Sequence, residues 1–462
     1  MARREMMRHQ HRALNFCRSR RHVALFMEPG TGKTMVARRW TLVRQSHPTL
    51  IVCRRDDFYT WKEELREEGI KESAILFIRG VKSVGKQRPK TWTIVTYDLL
   101  RNDRVFGWLQ HQSWRSLIAD ESQQVRRIKA TRTRRLINLS KSIPERMVMT
   151  GTPIGNHYED IFSQMLIADG GASLGENYYK FLHRFFWPEP SGWKWHIFTR
   201  GKRAIIKAIS NTALFIESKD AMPLPRRRWL TRSTPLYKKQ RKLYQQVMMD
   251  WELTLGEKTI NLDYVITQMQ KCQQLASGFA YNEKHEAVWI PSSKLDLLCK
   301  MLKDPDDLFY GRKKIVIWCA FTAEIEAIAS RIRYESELGS SVVYHGQMSP
   351  KQKIAARQAF CYNPDVQFFI AQVESGVGMN ELVVADTAFY ISNSRKWLAR
   401  QQSERRTWRR GSERHEYILY VDLISEGTLD GYIRRQLHKH RDAAASLLRD
   451  LRTGNCLSDA AS

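Results

Sequence analysis

The chain has 462 residues and an apolar fraction of 42%, which excludes wholesale disorder and predicts two or three domains. Lysine and arginine total 76 against 48 acidic residues, and the net charge of +28 would attract a polyanion, most commonly nucleic acid, or an acidic membrane surface. No apolar run approaches the length needed to cross a bilayer.

The amino-terminal stretch MARREMMRHQHRALNF is basic, as transit peptides are, but the role expected below for Gln10 leaves little room for a removable segment. The seven cysteines lie far apart, and no two have the spacing of a zinc or redox motif. Reduced thiols inside a cytosolic protein are therefore the favoured interpretation of the cysteines.

The first elements with chemical content form a strand–turn–helix unit. HVALFM (22–27) predicts a buried strand, Pro29-Gly30 a turn, and KTMVARRWTLVRQ a helix from Lys33 onward. Glycines let backbone N–H groups face phosphate oxygens at a helix start, so we expect a phosphate loop. Lys33 would reach the terminal phosphates and Thr34 would bind magnesium. The expected nucleotide-binding residues of this loop are Gly30, Thr31, Gly32, Lys33 and Thr34. Met27 replaces the usual first glycine, so a turn with an incidental lysine is the competing interpretation.

A pair of acids follows a later strand. In WRSLIADESQQ (114–124) the apolar run ends directly at Asp120 and Glu121. Two acids at a strand end are typical of the magnesium and water site of nucleotide hydrolases. Asp120 would hold the metal, and Glu121 would orient and deprotonate the attacking water. Two surface acids in a turn are the alternative, and the upstream loop favours the catalytic interpretation.

The sequence between these motifs alternates strand and helix patterns. TLIVCR (49–54), SAILFIRG, WTIVTYD and RMVMTGTP (146–153) are predicted strands, and DDFYTWKEELREEG (56–69) is a predicted helix. The alternation predicts an α/β fold with a parallel sheet and helices on both faces. Ligands of such sheets bind at the strand carboxyl ends, where the loop and the acid pair both fall.

A second alternating block begins near residue 311 and has no phosphate loop of its own. Its predicted strands are KKIVIWCAF, SVVYHG, VQFFIAQ, TAFYISN and YILYVDLIS (417–425), with helices near 322–333, 350–361 and 396–409. Residues 157–300 are rich in aromatics and helix formers, and the prolines of AMPLPRRR (221–228) predict a linker. We therefore divide the chain into a first lobe (1–156), a helical insertion with linker (157–300) and a second lobe (301–462).

These motifs resemble, in order, the Swi/Snf-type branch of the superfamily 2 helicase-like ATPases, from about residue 8 to 450. RHQHRAL resembles its glutamine motif, MEPGTGKT its phosphate loop, ADESQQVRRIK its acidic box, and MTGTPIGN (149–156) its Thr-Gly-Thr-Pro segment. LIVCRRDDFYTWKEEL resembles a segment that ends in a tryptophan and an acid, here Trp61 and Glu64, and IVTYDLL resembles a strand that ends in tyrosine. SSKLDLLCKML (292–302), GVGMNELVVADTAFYISNSRKWLARQQSERRTWRRGSERH and ISEGTLDGYI resemble segments of the second lobe.

The resemblance implies two RecA-like parallel-sheet lobes with a helical insertion between them, and ATP with Mg²⁺ as cofactors. It implies that Gln10 recognises adenine and that Arg406 and Arg409 reach the ATP from the second lobe. Arginines placed on the charge that develops on phosphoryl oxygens are worth roughly 10³–10⁵ in rate. Residues implied to couple ATP to nucleic acid are Thr150, Gly151, Thr152, Gly376, Gly378, Asn380 and Gln402. Structural turn glycines are the competing explanation for part of this set.

The chain also departs from the family pattern. Ser122-Gln123 replaces the Ala-His of the commonest acidic box, Arg405 replaces an acid and Ser412 replaces a glutamine. The stretch VRRIKATRTRRL (125–136) carries six basic residues between Arg126 and Arg135. It is either a solvated helix face or a phosphate-contacting surface, and both interpretations stay open.

We expect an ATP-dependent DNA helicase or translocase whose ATP hydrolysis is stimulated by double-stranded DNA. An RNA helicase is one alternative, and a nucleic-acid clamp with a degenerate ATPase site is another. We expect no membrane partner and leave protein partners open. The compact length suggests a phage or bacterial origin, with the protein in the cytoplasm, and disfavours a eukaryotic nucleosome remodeller.

Overall fold

The structure is a computed structural model that describes residues 5–84, 88–154, 157–190, 194–217, 221, 223–256, 262–335, 337–375 and 381–439. Contacts within the chain divide it into two compact units. The first unit is Met1–Pro223 with Asp442–Ser462, and the second unit is Leu224–Arg441. Among the residues that the structure describes, no helix combines the length and apolar character needed to cross a membrane.

The first unit is built on a seven-stranded parallel sheet in the order β3-β4-β2-β5-β6-β1-β9, with a small antiparallel hairpin, β7–β8. Its strands are β1 (His22–Met27), β2 (Thr49–Cys53), β3 (Ile75–Ile78), β4 (Trp92–Thr96), β5 (Ser116–Asp120), β6 (Glu145–Met149), β7 (Phe186–Pro188), β8 (Trp195–Ile197) and β9 (Ala213–Ile216). Its helices are α1 (Arg8–Arg18), α2 (Lys33–Val43), α3 (Phe58–Glu67), α4 (Asp103–Gln110), α5 (Thr131–Ser140), α6 (Asp160–Asp169), α7 (Tyr178–Phe185) and α8 (Thr199–Ile209).

The core of this unit lies on both faces of the sheet. Successive strand side chains point to opposite faces, so β1 sends Ala24 and Phe26 to one apolar cluster and Val23 and Leu25 to the other. A strand covered on both faces has no polar side to show, which is why HVALFM is a continuous apolar run. All strands of the sheet are parallel, so their carboxyl ends share one edge.

The second unit contains a six-stranded parallel sheet in the order β10-β17-β16-β13-β15-β14 and a hairpin, β11–β12. Its strands are β10 (Arg226–Thr234), β11 (Phe279–Tyr281), β12 (Ala287–Trp289), β13 (Ile315–Cys319), β14 (Ser340–Tyr344), β15 (Val366–Gln372), β16 (Thr387–Tyr390) and β17 (Tyr417–Ser425). Its helices are α9 (Lys238–Gly256), α10 (Leu262–Ser277), α11 (Ser293–Lys303), α12 (Thr322–Tyr334), α13 (Pro350–Tyr362) and α14 (Trp397–Thr407), followed by a helix over 429–439.

The predicted α/β class with two parallel-sheet lobes is confirmed, and helices α9 and α10 pack together within the second unit, after β10 and before β13. The boundary between the two units lies at 223, inside the interval 157–300 that the sequence assigned to a helical insertion with linker. Within that interval β9 pairs with β1, and β10 pairs with β17. Both strands complete sheets whose other members are distant in sequence, and such pairing leaves no local pattern.

In AMPLPRRR (221–228), where a linker was expected, the boundary between the two units falls after Pro223, and the last three residues begin strand β10. The strand begins at Arg226 and pairs with β17 over nine residues, from Arg226 beside Tyr417 to Thr234 beside Ser425. It lies at the edge of the sheet with exposed or half-buried side chains, so RRRWLTRST shows no apolar run. Charged residues are common on edge strands because they discourage pairing with other chains.

Candidate nucleotide site

The predicted phosphate loop joins β1 to α2. Gly30 and Gly32 both adopt left-handed backbone angles, with φ of +87° and +83°. Gly32 is the N-cap of α2, so the first amides of the helix follow directly on the loop. Thr31 closes the turn, since its Oγ1 donates to the carbonyl of Glu28 at 2.6 Å. Met27 is the fully buried last residue of β1, so the loop begins only after it.

Gln10 on α1 is fixed against this loop. Its Oε1 accepts from the amide of Met7 at 2.9 Å, and its Nε2 donates to the carbonyl of Thr31 at 3.0 Å. Nε2 of His9 lies 2.9 Å from the same carbonyl. A Cβ at Gly32 would fall 2.2 Å from Gln10 Nε2, so this glycine is required by space as well as by φ. The predicted recognition of adenine by Gln10 stays a prediction.

The acid pair ends β5 as the sequence predicted. Asp120 is buried, and its two side-chain oxygens accept from Trp61 Nε1 at 2.9 Å and from the amide of Glu121 at 2.9 Å. Tyr97 donates its hydroxyl to the carbonyl of Asp120 at 2.7 Å. Trp61 and Tyr97, singled out in the sequence by resemblance, therefore both hold the acid turn.

Burial raises the pKa of Asp120 to about 7, and the neighbouring charges of Asp57 and Glu121 add to that rise. The charge of Lys33 and the hydrogen bond from Trp61 act in the opposite direction. Lys33 is itself 8% exposed at the start of α2, while Thr34 beside it is partly exposed. The structure thus brings the loop lysine and the first acid into one electrostatic neighbourhood.

Sequence reasoning missed an ion pair beside the acids. Arg54 makes a bidentate contact with Asp57, through Nε at 3.0 Å and a terminal nitrogen at 3.2 Å. Burial disfavours the charged form of Arg54, but the carboxylates of Asp57, Glu121 and Asp120 outweigh it and raise the pKa of the guanidinium. The sequence feature that could have indicated this ion pair is the charged run RRDD directly after β2, at the same sheet edge as the acid pair.

Glu121 is held by a chain of hydrogen bonds. Gln123 Nε2 donates to Glu121 Oε2 at 2.7 Å, and Gln123 Oε1 accepts from Thr150 Oγ1 at 2.5 Å. Thr150 Oγ1 in turn accepts from the amide of Thr152 at 3.0 Å. Glu121 has φ of +50°, a left-handed conformation that costs energy in a residue with a Cβ. The structure therefore joins the predicted base to the predicted coupling threonines.

A second bridge involves Ser122, the other departure in the acidic box. Ser122 Oγ donates to Gln164 Oε1 at 2.7 Å, and Gln164 Nε2 donates to the carbonyl of Pro153 at 2.5 Å. A Cβ at Gly151 would fall 2.4 Å from Cδ of Pro29, so the segment 150–153 lies directly on the phosphate loop. The loop, the acid turn and the Thr-Gly-Thr-Pro segment form one connected site.

Helix α3 ties this site to the loop helix. Arg38 of α2 is fully buried, and it pairs with Glu64 at 3.1 Å and with Glu68 at 2.5 Å. Glu64 is the acid that the sequence placed three residues after Trp61. The two residues of that motif thus bind different partners, Trp61 the acid turn and Glu64 the helix behind Lys33.

In the second unit, Arg406 lies in the last turn of α14 and Arg409 lies two residues beyond the end of that helix. Gln402 and Arg406 are half-buried and four residues apart, on one face of the helix. Burial lowers the pKa of Arg409, and the carboxylate of Glu381 opposes this effect. Gly376, Gly378 and Asn380 lie outside the described residues. The expected approach of Arg406 and Arg409 to ATP stays a prediction.

A buried ion pair that the sequence did not reveal anchors α14. Arg400 contacts Asp422 of β17 at 2.5 Å and Glu404 at 2.8 Å, and its guanidinium lies 3.4 Å from the centre of the Tyr390 ring. Each charge is satisfied, which buried ion pairs require. The network fixes the helix that carries Gln402 and Arg406 against the sheet.

The basic stretch 125–136 divides into two sets. Arg126, Arg132 and Arg135 are half-buried and pair with Asp160, Asp98 and Asp103. Arg127, Lys129 and Arg134 are exposed. Half of the basic residues therefore have acidic partners within the first unit, and the exposed half keeps both interpretations open.

Comparison with known proteins gives a family match. The model of the SNF2-related domain matches residues 9–278. Chromodomain-helicase-DNA-binding protein 1-like of Mus musculus is 22% identical over 405 residues, 84% of this chain and 43% of that protein. DNA annealing helicase and endonuclease ZRANB3 of Bos taurus is 31% identical over 144 residues, 30% of this chain and 13% of that protein. The chain thus spans less than half the length of these relatives.

Among solved structures, the Sulfolobus solfataricus SWI2/SNF2 ATPase core in complex with dsDNA aligns over 98% of this chain and 95% of its own. The sequence identity is 20% and the TM-score is 0.46. The domain match carries the assignment, since it includes the loop, the acid turn and the Thr-Gly-Thr-Pro segment and covers more than half of the 462 residues. The chain belongs to the SNF2-related family.

Proposed function

We propose that the chain hydrolyses ATP when it is bound to nucleic acid and uses the energy to move along double-stranded DNA. Family membership supports the ATPase chemistry. The two relatives, a DNA-binding protein and a DNA annealing helicase by name, favour DNA as the polymer. The observation that carries the proposal is the hydrogen-bond chain from Glu121 through Gln123 to Thr150, which lies against the phosphate loop.

The residues of the first unit suit a nucleotide with magnesium. Lys33 and the amides at the start of α2 would bind the phosphates, because the helix start and the lysine both supply positive potential. Thr34 and Asp120 would hold Mg²⁺, which neutralises phosphate charge when bound. A buried carboxylate whose pKa is raised to about 7 fits this task, since a divalent cation favours its ionised form.

Glu121 is the proposed general base. Its carboxylate accepts a hydrogen bond from Gln123, which orients it, and a carboxylate in this position would orient a water molecule and take its proton. Gln123 uses both ends of its amide, so a movement of the Thr150 segment would move the carboxylate. This connection is how nucleic acid bound elsewhere on the protein would change the rate of hydrolysis.

Arg406 and Arg409 are proposed to complete the site from the second unit. Charge accumulates on the phosphoryl oxygens as the terminal phosphate is transferred, and a guanidinium placed there stabilises it. Arg400 and Asp422 would keep α14 rigid while the arginines act. Because the proposed base belongs to the first unit and the arginines belong to the second, hydrolysis would depend on how the two units are arranged. A motor requires such a dependence.

The proposal is tested by ATP turnover with duplex DNA, single-stranded DNA and RNA, comparing the wild type with Glu121→Gln. Duplex DNA should stimulate the wild type, and the variant should lose roughly 10²- to 10⁴-fold in turnover while still binding ATP. Glu63→Gln, an exposed acid on α3, is the matched control and should behave as the wild type.

Other outcomes would replace the proposal. Stimulation by RNA alone would indicate an RNA helicase. Nucleic-acid binding without any ATP turnover, unchanged in Lys33→Ala, would indicate a clamp with a degenerate site. Directed movement is then measured by displacement of a third strand from a DNA triplex, which requires translocation but no separation of the duplex.

A further inference from the structure

A cavity of about 400 Å³ opens in the first unit at the carboxyl edge of β2, β3 and β4. Its lining includes Arg55, Phe58, Phe77, Arg79 and Asp98. The volume falls in the range of small-ligand pockets, and the lining combines aromatic rings with charged side chains. None of these residues is used by the nucleotide site described above.

Two aromatic rings and Leu99 form the apolar part of the cavity. The centroids of Phe58 and Phe77 lie 5.7 Å apart with the ring planes inclined at 58°. Both side chains are only partly buried, although they pack on the apolar core beneath the sheet. A partly exposed aromatic face at a cavity wall is a surface on which a nucleobase can stack, whatever its sequence.

The rim of the cavity is basic. Arg55 follows β2 and Arg79 follows β3, and both side chains are exposed. Lys62, also in the lining, pairs with Glu72, and the acid Asp98 lies 3.6 Å from Arg132. The lining acid thus has a cation beside it, and the two exposed arginines give the rim a positive potential suited to phosphate.

The cavity is distinct from the nucleotide site. In the sheet order β3-β4-β2-β5-β6-β1-β9, the phosphate loop follows β1 and the acid pair ends β5. The cavity belongs to β3, β4 and β2, on the opposite side of β5 from the loop. Gln10 of α1 contacts the phosphate loop, so the expected adenine position is also remote from the cavity.

We propose that this cavity receives one unpaired nucleotide of a nucleic-acid strand. Its base would stack on the ring of Phe77 and contact Phe58 at an angle, since the two ring planes are inclined at 58°, and its phosphate would bind Arg55 or Arg79. The inference rests on the proposed function and extends it, since a motor on duplex DNA would gain a preference for sites where a base has left the stack. Stacking contributes enough per base to produce at least about a fivefold preference.

The test compares binding of a paired duplex with binding of the same duplex carrying one bulged 2-aminopurine. The wild type should bind the bulged duplex at least about fivefold more tightly and change the fluorescence of the probe base. Phe77→Leu, which keeps an apolar side chain but removes the ring, and Arg79→Glu should each lose the preference. Tyr179→Ala and Arg203→Glu are matched controls, because both residues are exposed in the same unit outside the cavity.

Three results would overturn the inference. They are equal affinity of the wild type for the two duplexes, a preference retained in both Phe77→Leu and Arg79→Glu, and a preference that persists unchanged at saturating free dAMP. ATP turnover separates this failure from that of the proposed function. Stimulation by paired duplex with no preference for the bulge defeats the cavity alone, and a bulge preference without any stimulation defeats the motor alone.

Discussion

Asp120 lies in an environment that opposes its own charge. Burial and two neighbouring carboxylates raise its pKa to about 7, although Trp61 and the amide of Glu121 donate to it. Such opposition is expected where a cation belongs to the working state, because the site must favour a carboxylate only when the cation is bound. The sequence showed the acid, and the fold decided its pKa.

This pKa predicts how stability depends on pH. The folded-state pKa exceeds the unfolded value of about 3.9, so ionising Asp120 costs stability as pH rises from 4 to 7. Asp120→Asn should therefore gain relative to the wild type between pH 5 and pH 8, by on the order of 3 kcal/mol without metal. Urea unfolding of the ligand-free proteins at both pH values measures this difference.

The altered hydrogen bonds of Asn add an offset that does not change with pH, so the slope is the decisive quantity. Magnesium with a non-hydrolysable ATP analogue should restore the stability that the wild type loses at pH 8, and it should raise the stability of the variant less. A difference between the two proteins that stays constant from pH 5 to pH 8 would contradict the assigned pKa.

Gln123 stands where the family more commonly has histidine, and its amide connects Glu121 to Thr150. We predict that Gln123→Ala lowers kcat in the presence of duplex DNA by about tenfold, the scale of one or two lost hydrogen bonds, with little change in KM for ATP. Gln124→Ala is the neighbouring control. Steady-state kinetics with and without DNA measure the effect, and an equal loss in both conditions would limit Gln123 to a structural role.

At the scale of elements, the Thr-Gly-Thr-Pro segment is defined by what it touches. Gly151 lies against Pro29 of the phosphate loop, and Thr150 bonds to the acid turn through Gln123. The glycine is required here by close approach, since a Cβ would lie 2.4 Å from the proline ring. The segment between strand β6 and helix α6 therefore contacts both the phosphate loop and the acid turn.

Gly151→Ala should separate the segment from the loop and lower ATP turnover by at least about tenfold, since small misplacements of catalytic groups cost up to about a hundredfold. Gly107→Ala is the matched control, because a Cβ at this helical position meets nothing within 4 Å. The control should retain activity and gain up to about 1 kcal/mol of stability. If Gly151→Ala kept the ATP turnover of the wild type, the phosphate loop would have moved to accommodate the added methyl group without loss of activity.

Most elements of the two sheets were predicted by their apolar runs. Strand β17 (Tyr417–Ser425) has the predicted bounds, and β1 begins and ends where HVALFM does. Strand β10 was missed because an exposed edge strand rich in arginine has no apolar period, and its stability comes from pairing with β17. The boundary between the units within 157–300 therefore follows from which sheet β9 and β10 join, and the composition of the interval does not reveal it.

For the whole molecule, the charge of +28 is the property most open to measurement. Arg126, Arg132 and Arg135 pair with acids of their own unit, whereas Arg127, Lys129 and Arg134 are exposed. If the exposed set contacts phosphates, its replacement by alanine should reduce the salt slope of DNA binding by up to about 3.

Fluorescence anisotropy of a labelled duplex at several salt concentrations measures that slope. The control is a triple alanine replacement of the exposed residues Arg184, Arg203 and Lys207 on α7 and α8. A solvated helix face, the competing interpretation of 125–136, would leave the slope equal in the two variants.

The sequence by itself determined the strand–turn–helix loop, the acid pair after β5 and the two-sheet class, because each depends on residues that are neighbours along the chain. Only the tertiary structure decided which side chains meet: Trp61 with Asp120, Arg54 with Asp57 beside the acids, Gln123 with Thr150, and Arg400 with Asp422. The reason is physical. Local patterns fix backbone direction and burial, whereas hydrogen bonds, pKa values and cavities arise between elements that parallel pairing brings to one sheet edge.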